Sequence, residues 1–217
     1  MELKNKIVVV TGAASGIGKA IAERFAQEDA KKIICADKNF YGAKETADKI
    51  NGEAVAMDAS CESDIAFVIN QTESVFGPID LFCSNAGVLV GGGIEISNEA
   101  WQHSWEVNLM SHVWAARHIV PRMLRRGSGY LLNTSSAAGL LNQVGSAPYG
   151  VTKHAAVSFA EWLAISYGDQ GIKVSLLCPQ AVRTAMTKGL ENHVASIDGM
   201  IEPEQVAEAC IDGLRDE

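Results

Sequence analysis

The chain has 217 residues, of which 47% are hydrophobic and 20% are charged, and its formal net charge is −8. This composition is typical of a globular protein with one sizeable core, and we expect a single domain over residues 1–217. The longest basic runs are pairs, Lys31-Lys32 and Arg125-Arg126, which argues against a nucleic-acid partner. The apolar runs are too short for a bilayer span or a signal peptide, so we expect no membrane partner.

Short β-branched runs alternate with helical stretches along the chain. The runs that predict strands are 6–12, 31–37, 53–58, 79–87, 129–136 and 172–179. The stretches that predict helices are about 16–30, 40–51, 61–75, 99–126, the one holding Tyr149 to about 168, and the last from near Pro203. This alternation predicts an α/β fold with a doubly wound parallel sheet covered by helices on both faces. Residues 187–202 fit no element, and we expect a loop or short helices over a binding site.

The first predicted strand ends in the glycine-rich stretch "TGAASGIG" at the start of a helix. Gly12, Gly16 and Gly18 allow a tight turn and close approach of a ligand, and a helix start suits a pyrophosphate. A purely structural turn would explain the glycines equally well. Asp37, however, ends the second predicted strand 19 residues after Gly18, where an acid binds ribose hydroxyls in dinucleotide-binding folds. The spacing is GxxxGxG, not the more common GxGxxG.

A phenol and an ammonium lie four residues apart in the stretch "SAPYGVTKHAA". Residues at this spacing share one helix face, so Tyr149 and Lys153 are predicted to be neighbours. Taken alone, the pair is also compatible with two exposed residues on an ordinary helix. A nearby cation favours the phenolate form of tyrosine, so Lys153 would make Tyr149 a more usable base.

The five cysteines lack a CxxC pair and are odd in number, so we expect no disulfides and a reducing cytoplasm. They are Cys35, Cys61, Cys83, Cys178 and Cys210. The histidines lack the spacing of a metal site, and we expect surface or packing roles and no metal. They are His103, His112, His118, His154 and His193.

Four motifs occur in a fixed order: "TGAASGIG", "NAG" (85–87), "NTSS" (133–136) and "YGVTK" (149–153). Together they resemble the short-chain dehydrogenase/reductase family over essentially the whole chain. The resemblance implies a Rossmann-type fold and a nicotinamide-dependent oxidoreductase. Members of that family usually continue into a seventh strand and a C-terminal tail. We therefore expect either six strands or a sequence that is incomplete at its C-terminus.

The resemblance also implies a catalytic tetrad. Tyr149 matches the general acid/base, and Lys153 the residue that lowers the tyrosine pKa and holds the nicotinamide ribose. Ser136 matches the serine that orients the substrate, and Asn108 the asparagine that supports a water-mediated proton relay. Ser135 adjoins Ser136, but side chains alternate along a strand, so only one is expected to face the site.

The same resemblance implies a cofactor site. Its predicted members are Gly12, Ser15, Gly16, Ile17, Gly18, Asp37, Asp58, Asn85, Ala86, Gly87, Tyr149, Lys153, Pro179 and Thr184. Asp37 would repel a 2′-phosphate, and Ser15 stands where phosphate-selective relatives often carry a basic residue, so NAD is favoured over NADP. Lys38 is the counter-argument, because it could swing toward a phosphate. Asp58 resembles an acid near the adenine amino group, with a helix N-cap as the alternative.

The substrate cavity is expected to be mostly apolar. The resemblance implies that its lining includes Ser136, Ala138, Leu141, Val144, Gln180 and Met186, together with Leu89 and Val90. Gln180 replaces the usual glycine of the family. The resulting hypothesis is an NAD-dependent oxidoreductase interconverting a secondary alcohol and a ketone. A non-catalytic dinucleotide sensor that acts through partner binding is the alternative, and the glycine spacing disfavours a nucleotide-sugar epimerase.

The predicted helix over 151–167 is apolar around most of its circumference. A helix on a sheet normally keeps a polar outer face, so this one is expected to pack on another subunit. We expect a homodimer or homotetramer through the helices near 99–126 and 149–168. The three tryptophans in the earlier helix (Trp101, Trp105 and Trp114) are expected in the core or an interface.

Overall fold

The computed structural model describes residues 1–189 and 196–216. Within these residues the strands are β1 (Ile7–Thr11), β2 (Lys32–Asp37), β3 (Glu53–Ala56), β4 (Leu81–Ser84), β5 (Gly129–Thr134) and β6 (Ile172–Leu177). They form one parallel sheet in the order β3-β2-β1-β4-β5-β6. The prediction of a Rossmann-type doubly wound sheet is confirmed. The described part of the chain contains six strands and no seventh.

Helices follow the strands and cover both faces of the sheet. They are α1 (Gly16–Ala26), α2 (Phe40–Lys49), α3 (Glu62–Val75), α4 (Asn98–Trp105), α5 (Ser111–Arg126), α6 (Ala147–Tyr167) and α7 (Pro203–Arg215). The cluster containing Val9, Ile65, Ile119 and Leu163 joins one face to α3, α5 and α6. A second cluster joins the other face to α1, α2 and α7. Strands β1, β2, β4 and β5 are buried on both faces, which explains why their sequences are continuous apolar runs, whereas the edge strands β3 and β6 are partly exposed.

The long predicted helix near 99–126 is interrupted by a wider turn. Helices α4 and α5 are joined by a π-helical segment, Glu106–Met110, and Asn108 lies at its centre. Such π-bulges occur frequently at functional sites. The sequence predicted a helix through this region, but nothing in its periodicity indicated the extra residue in the turn.

The carboxyl ends of the strands meet where the chain order reverses, between β1 and β4. Ligands in open α/β sheets bind in the crevice at such a switch point. The stretch after β6 packs near this edge through the backbone bridge Val182–Ile201 and a short 3₁₀ turn, Ala185–Thr187. The segment predicted over the binding site, 187–202, lies partly outside the described residues, as does His193.

No helix in residues 1–189 or 196–216 is long and apolar enough to cross a membrane. All five cysteines fall in these residues and are free thiols.

Candidate active site

The glycine turn after β1 is tightly packed. Gly12 and Gly16 have positive φ angles of 71° and 53°, which favour glycine. A Cβ built on Gly18 would lie 2.2 Å from the carbonyl oxygen of Gly12, so no larger residue fits there. Ser15 begins α1 without a side-chain capping hydrogen bond. No Ser15 side chain therefore caps the first amide groups of α1, and an anion could accept hydrogen bonds from them.

The acid at the end of β2 is held by the backbone. Asp37 accepts hydrogen bonds from the amides of Ala14 (2.9 Å) and Asn39 (2.8 Å), one at each carboxylate oxygen. Each oxygen keeps a further lone pair, so the carboxylate can still accept ribose hydroxyls. The glycine turn and this acid are therefore fixed relative to each other.

The basic residue beside Asp37 is engaged by another acid. The ammonium of Lys38 lies 3.1 Å from Asp58 Oδ2, while Asp58 Oδ1 accepts bonds from the amide and hydroxyl of Ser60. The Ser60 hydrogen bonds and the Lys38 ammonium lower the pKa of Asp58 to about 2. Asp58 therefore stays ionised and holds Lys38.

The threonine at the end of β1 organises the loop after β4. Thr11 Oγ1 accepts hydrogen bonds from the amides of Asn85 (2.9 Å) and Ala86 (3.0 Å), and its carbonyl accepts one from Asn85 Nδ2 (3.0 Å). Thr11 was not among the predicted residues. The sequence feature that could have indicated it is its position directly before Gly12, at the start of the glycine turn.

Asn108 is completely buried behind the cleft. Its Oδ1 accepts a hydrogen bond from the amide of Val88 (2.8 Å), and its Nδ2 donates to the carbonyl of Val88 (2.9 Å). Nδ2 also contacts the hydroxyls of Ser104 (3.2 Å) and Thr152 (3.1 Å). The side chain therefore ties the loop after β4 to α6, and it does not line the cavity.

Tyr149 and Lys153 lie in the first turns of α6, with the Lys153 ammonium 5.7 Å from the centroid of the Tyr149 ring. Lys153 is 3% exposed, and its ammonium donates a hydrogen bond to the carbonyl of Thr134 (3.1 Å). The two serines after β5 make different contacts, although both line the cavity and not only one as expected. The Ser135 hydroxyl donates to the carbonyl of Lys153 (2.8 Å), whereas the Ser136 side chain interacts with the Tyr149 side chain.

Burial dominates the protonation of this pair. It raises the pKa of Tyr149 above its ordinary value, and a hydrogen bond with Ser136 opposes the rise. Burial also lowers the pKa of Lys153 to about 8. In the free protein the pKa of Tyr149 is therefore raised, with desolvation of the phenolate as the largest cause, whereas the resemblance implies that Lys153 lowers it.

These features line one cavity of about 390 Å³. All predicted cofactor residues lie along its wall: Gly12, Ser15, Gly16, Ile17, Gly18, Asp37, Asp58, Asn85, Ala86, Gly87, Tyr149, Lys153, Pro179 and Thr184. Of the predicted substrate residues, Ser136, Gln180 and Met186 also line it.

Three predicted substrate residues lie outside this lining. Leu141 and Val144 are 80% and 78% exposed in the loop before α6, and Ala138 is buried beneath that loop. The lining also excludes Leu89 and Val90. The lining instead includes residues that the sequence did not indicate, among them Val88, His103, Val107 and Val182.

Gln180, which replaces the family's usual glycine, points toward the segment before α7. Its Nε2 donates to Asp198 Oδ2 (3.2 Å).

Within residues 1–189 and 196–216, no cluster of histidine, cysteine or acidic side chains could hold a metal ion.

Comparison with known proteins settles the family. The short chain dehydrogenase family model matches residues 6–195. This chain is a short-chain dehydrogenase. Meso-2,3-butanediol dehydrogenase of Serratia marcescens is 32% identical to it, covering 95% of the chain and 86% of the relative. Cyclohexanol dehydrogenase of an Acinetobacter strain is 30% identical to it, and the match covers 95% of the chain and 86% of the relative. A solved short-chain dehydrogenase from Burkholderia phymatum, in complex with NAD, is 28% identical and superimposes with a TM-score of 0.92, covering 100% and 88% of the two chains.

The cleft of this short-chain dehydrogenase fits a dinucleotide on its own geometry. A Cβ at Gly12 would lie 3.0 Å from Ala86 Cα, and one at Gly18 would lie 2.6 Å from Asn85 Nδ2, so glycine lets this turn pack closely against the loop after β4. A carboxylate lies at one end of the cavity and the tyrosine–lysine pair at the other. Gly87 separates them, and a Cβ there would lie 3.3 Å from Asn108 Oδ1 and 3.5 Å from the Lys153 ammonium.

Proposed function

We propose that this short-chain dehydrogenase interconverts a secondary alcohol and a ketone with NAD, and that Tyr149 is the general acid/base. One observation carries the proposal: the side chains of Tyr149, Lys153 and Ser136 line the same cavity as the glycine turn. A dinucleotide seated on that turn and an alcohol at the substrate end would share one closed space. The family supplies the reaction class, and the geometry supports the residue roles.

The proton moves through the chain's own residues. In oxidation, Tyr149 Oη accepts the proton of the alcohol hydroxyl, and in reduction it returns a proton to the new alcohol oxygen. Ser136, which contacts the tyrosine side chain, orients the substrate oxygen. Nicotinamide, when bound, supplies the hydride acceptor and a positive charge. Because burial raises the pKa of Tyr149 on its own, we infer that this additional charge makes the phenolate accessible near neutral pH.

NAD is the proposed cofactor in preference to NADP. The fixed carboxylate of Asp37 would accept ribose hydroxyls and repel a 2′-phosphate. Lys38 is paired with Asp58, which weakens the argument that it would reach a phosphate. The Burkholderia protein, which was solved in complex with NAD, supports the same choice.

The substrate is proposed to be a largely apolar secondary alcohol. Val88, Val107, Val182 and Met186 line the cavity beyond the catalytic pair. The names of the Serratia and Acinetobacter relatives, a butanediol and a cyclohexanol dehydrogenase, both denote secondary alcohols. The alternative, a dinucleotide sensor, gives no reason for Tyr149 and Ser136 to lie together in the cavity.

We also propose a homodimer or tetramer and a reducing compartment such as the cytoplasm. Val151, Trp162 and Ile165 on α6 are 48%, 53% and 86% exposed, although they are large and apolar. Such a face is typical of a subunit interface. The free thiols fit a reducing compartment.

The experiment that tests this function is turnover of a panel of secondary alcohols, with NAD and NADP compared at equal concentration. We expect reduction of NAD by at least one alcohol, with a higher kcat/KM for NAD than for NADP. Dinucleotide binding without turnover of any alcohol or ketone would favour the sensor instead.

A further inference from the structure

The inner face of the helical stretch that carries Asn108 has a stripe of three buried polar side chains. Ser104, Asn108 and His112 are spaced four residues apart, and their exposed fractions are 0%, 0% and 2%. Residues at this spacing share one side of a helix. Because buried polar groups in proteins nearly always have hydrogen-bond partners, we expect each of these three side chains to have one.

Two members of the stripe are paired, and the third is not. Asn108 Nδ2 donates to the hydroxyl of Ser104, and both ends of the Asn108 amide bond to Val88. His112 differs, because neither ring nitrogen has a hydrogen-bond partner among residues 1–189 and 196–216. On the facing strand β5, the Nδ2 atom of Asn133 is likewise buried and unpartnered within the same residues.

The imidazole of His112 is neutral. Burial lowers the pKa of His112 to about 3, and the Lys153 ammonium adds to this effect. A polar contact with the Asn133 side chain opposes the shift without reaching hydrogen-bond geometry. A neutral imidazole carries one lone pair and one N–H. His112 therefore presents a hydrogen-bond acceptor close enough to the buried Lys153 ammonium to affect its charge. That ammonium donates one hydrogen bond to the Thr134 carbonyl and has two further N–H donors.

We propose that His112 is a positioning residue for Lys153, and that its ring and the Asn133 amide hold an internal water that accepts a hydrogen bond from the ammonium. Internal waters make about three hydrogen bonds to otherwise unsatisfied buried groups. A hydrogen bond to the charged form of a group favours that form. His112 thus keeps Lys153 charged where burial opposes the charge. The catalytic consequence rests on the proposed function, since it requires Tyr149 to be the acid/base.

Two other titratable groups face the ammonium. Tyr149 lies on the same helix, and Cys178 follows β6. Burial raises the pKa of both, so the phenol and the thiol stay neutral while Lys153 titrates near pH 8. A change in the titration of Lys153 therefore reports on His112 rather than on these neighbours.

The wild-type protein tests the proposal without substrate or cofactor. Lysine ε-carbon and histidine ring-nitrogen NMR signals are followed against pH, with Lys153→Met and His112→Phe used for assignment. We expect the His112 ring to stay neutral down to about pH 5, and its nitrogen shifts to follow the Lys153 titration near pH 8. Ring-nitrogen shifts that stay constant while Lys153 titrates would overturn the proposal.

Variants give a second, independent test. His112→Phe removes the lone pair at similar size, and we expect the Lys153 pKa to fall by about half a unit to one unit, a threefold to tenfold change in the ammonium–amine ratio. His112→Gln retains an acceptor and should restore most of the wild-type value. His118→Gln is the matched control, because His118 lies on the same helix and contacts Glu62 (3.0 Å).

The outcomes separate this proposal from the proposed function. A folded His112→Phe protein with an unchanged Lys153 pKa rejects the positioning role, whatever its activity. If that variant does not fold, the wild-type NMR titration decides. A wild-type protein that oxidises no secondary alcohol rejects the proposed function. The NMR titration of that protein would still show whether His112 is coupled to Lys153, because it needs no substrate.

Discussion

The Lys153 ammonium lies over the Tyr149 ring, 5.7 Å from its centroid, and donates its hydrogen bond to the carbonyl of Thr134. Burial is the largest cause of the raised pKa of Tyr149 in the free protein. We infer that activation of the tyrosine depends on a further cation in the cleft. This dependence would keep the free enzyme from carrying an ionised base.

Removing the phenol hydroxyl tests the acid/base role. Tyr149→Phe should lower kcat by about a hundredfold to ten-thousandfold, the usual contribution of a general acid/base, while NAD affinity changes little. Tyr167→Phe is the control, because Tyr167 lies at the far end of the same helix. Steady-state kinetics and a cofactor binding titration measure both. A Tyr149→Phe protein that keeps more than a few per cent of wild-type activity would show that another group moves the proton.

Cofactor preference is expected to respond to the acid that holds Lys38. Asp58→Asn removes the ion pair and should raise the ratio of NADP to NAD kcat/KM by about twofold to fivefold, since exposed ion pairs are worth up to about 1 kcal/mol. Asp48→Asn breaks a comparable exposed pair with Lys44 in α2 and should leave the ratio unchanged. An unchanged ratio in Asp58→Asn would mean that Lys38 does not reach the 2′ position.

The glycine turn offers a matched pair of substitutions. Gly18→Ala forces a methyl group to within 2.2 Å of the Gly12 carbonyl, and we expect a loss of roughly 1–3 kcal/mol in unfolding free energy, together with weaker NAD binding. Gly213→Ala adds its methyl group in open space on α7 and should stabilise the protein by about 0.5–1 kcal/mol. Urea denaturation and a cofactor titration measure the two effects. Equal stabilities would contradict the packing described for the turn.

Acid should destabilise the protein through His112. Its folded pKa of about 3 lies below the ordinary value of 6.5, so the unfolded chain binds the proton more tightly between these values. The stability is complete above pH 6.5 and is lost as the pH falls, by roughly 2 kcal/mol at about pH 5. Urea unfolding at neutral pH and at about pH 5 should show this loss in the wild type and in His118→Gln, but not in His112→Phe. A similar acid loss in His112→Phe would assign it to other groups.

Local chemistry explains how much of the molecule could be predicted. The six strands and the position of the glycine turn follow from apolar runs and glycine spacing, and they are confirmed. Asp37, which lines the cavity, was predicted from its spacing after the glycine turn, and Asn85 was predicted from the resemblance to the family.

Other features depend on tertiary contacts that no local pattern encodes. Leu141 and Val144 were predicted in the pocket from the resemblance to the family, but the loop before α6 leaves them exposed. The π-helical turn at Asn108 and the burial of His112 depend on how the helix meets β5 and α6. The pKa of Tyr149 in the free protein depends on how much water the surrounding fold removes, which charge spacing alone does not show.

The most direct test of the account is the ionisation of Tyr149 itself, followed by ultraviolet absorbance as the difference between the wild type and Tyr149→Phe. In the free protein we expect a midpoint above the ordinary value of 10.0. Saturating NAD should lower that midpoint by about three units, toward neutral pH, because it adds a positive charge beside the phenol. A midpoint that NAD leaves unchanged, in an enzyme that turns over normally, would contradict the proposed activation of the tyrosine.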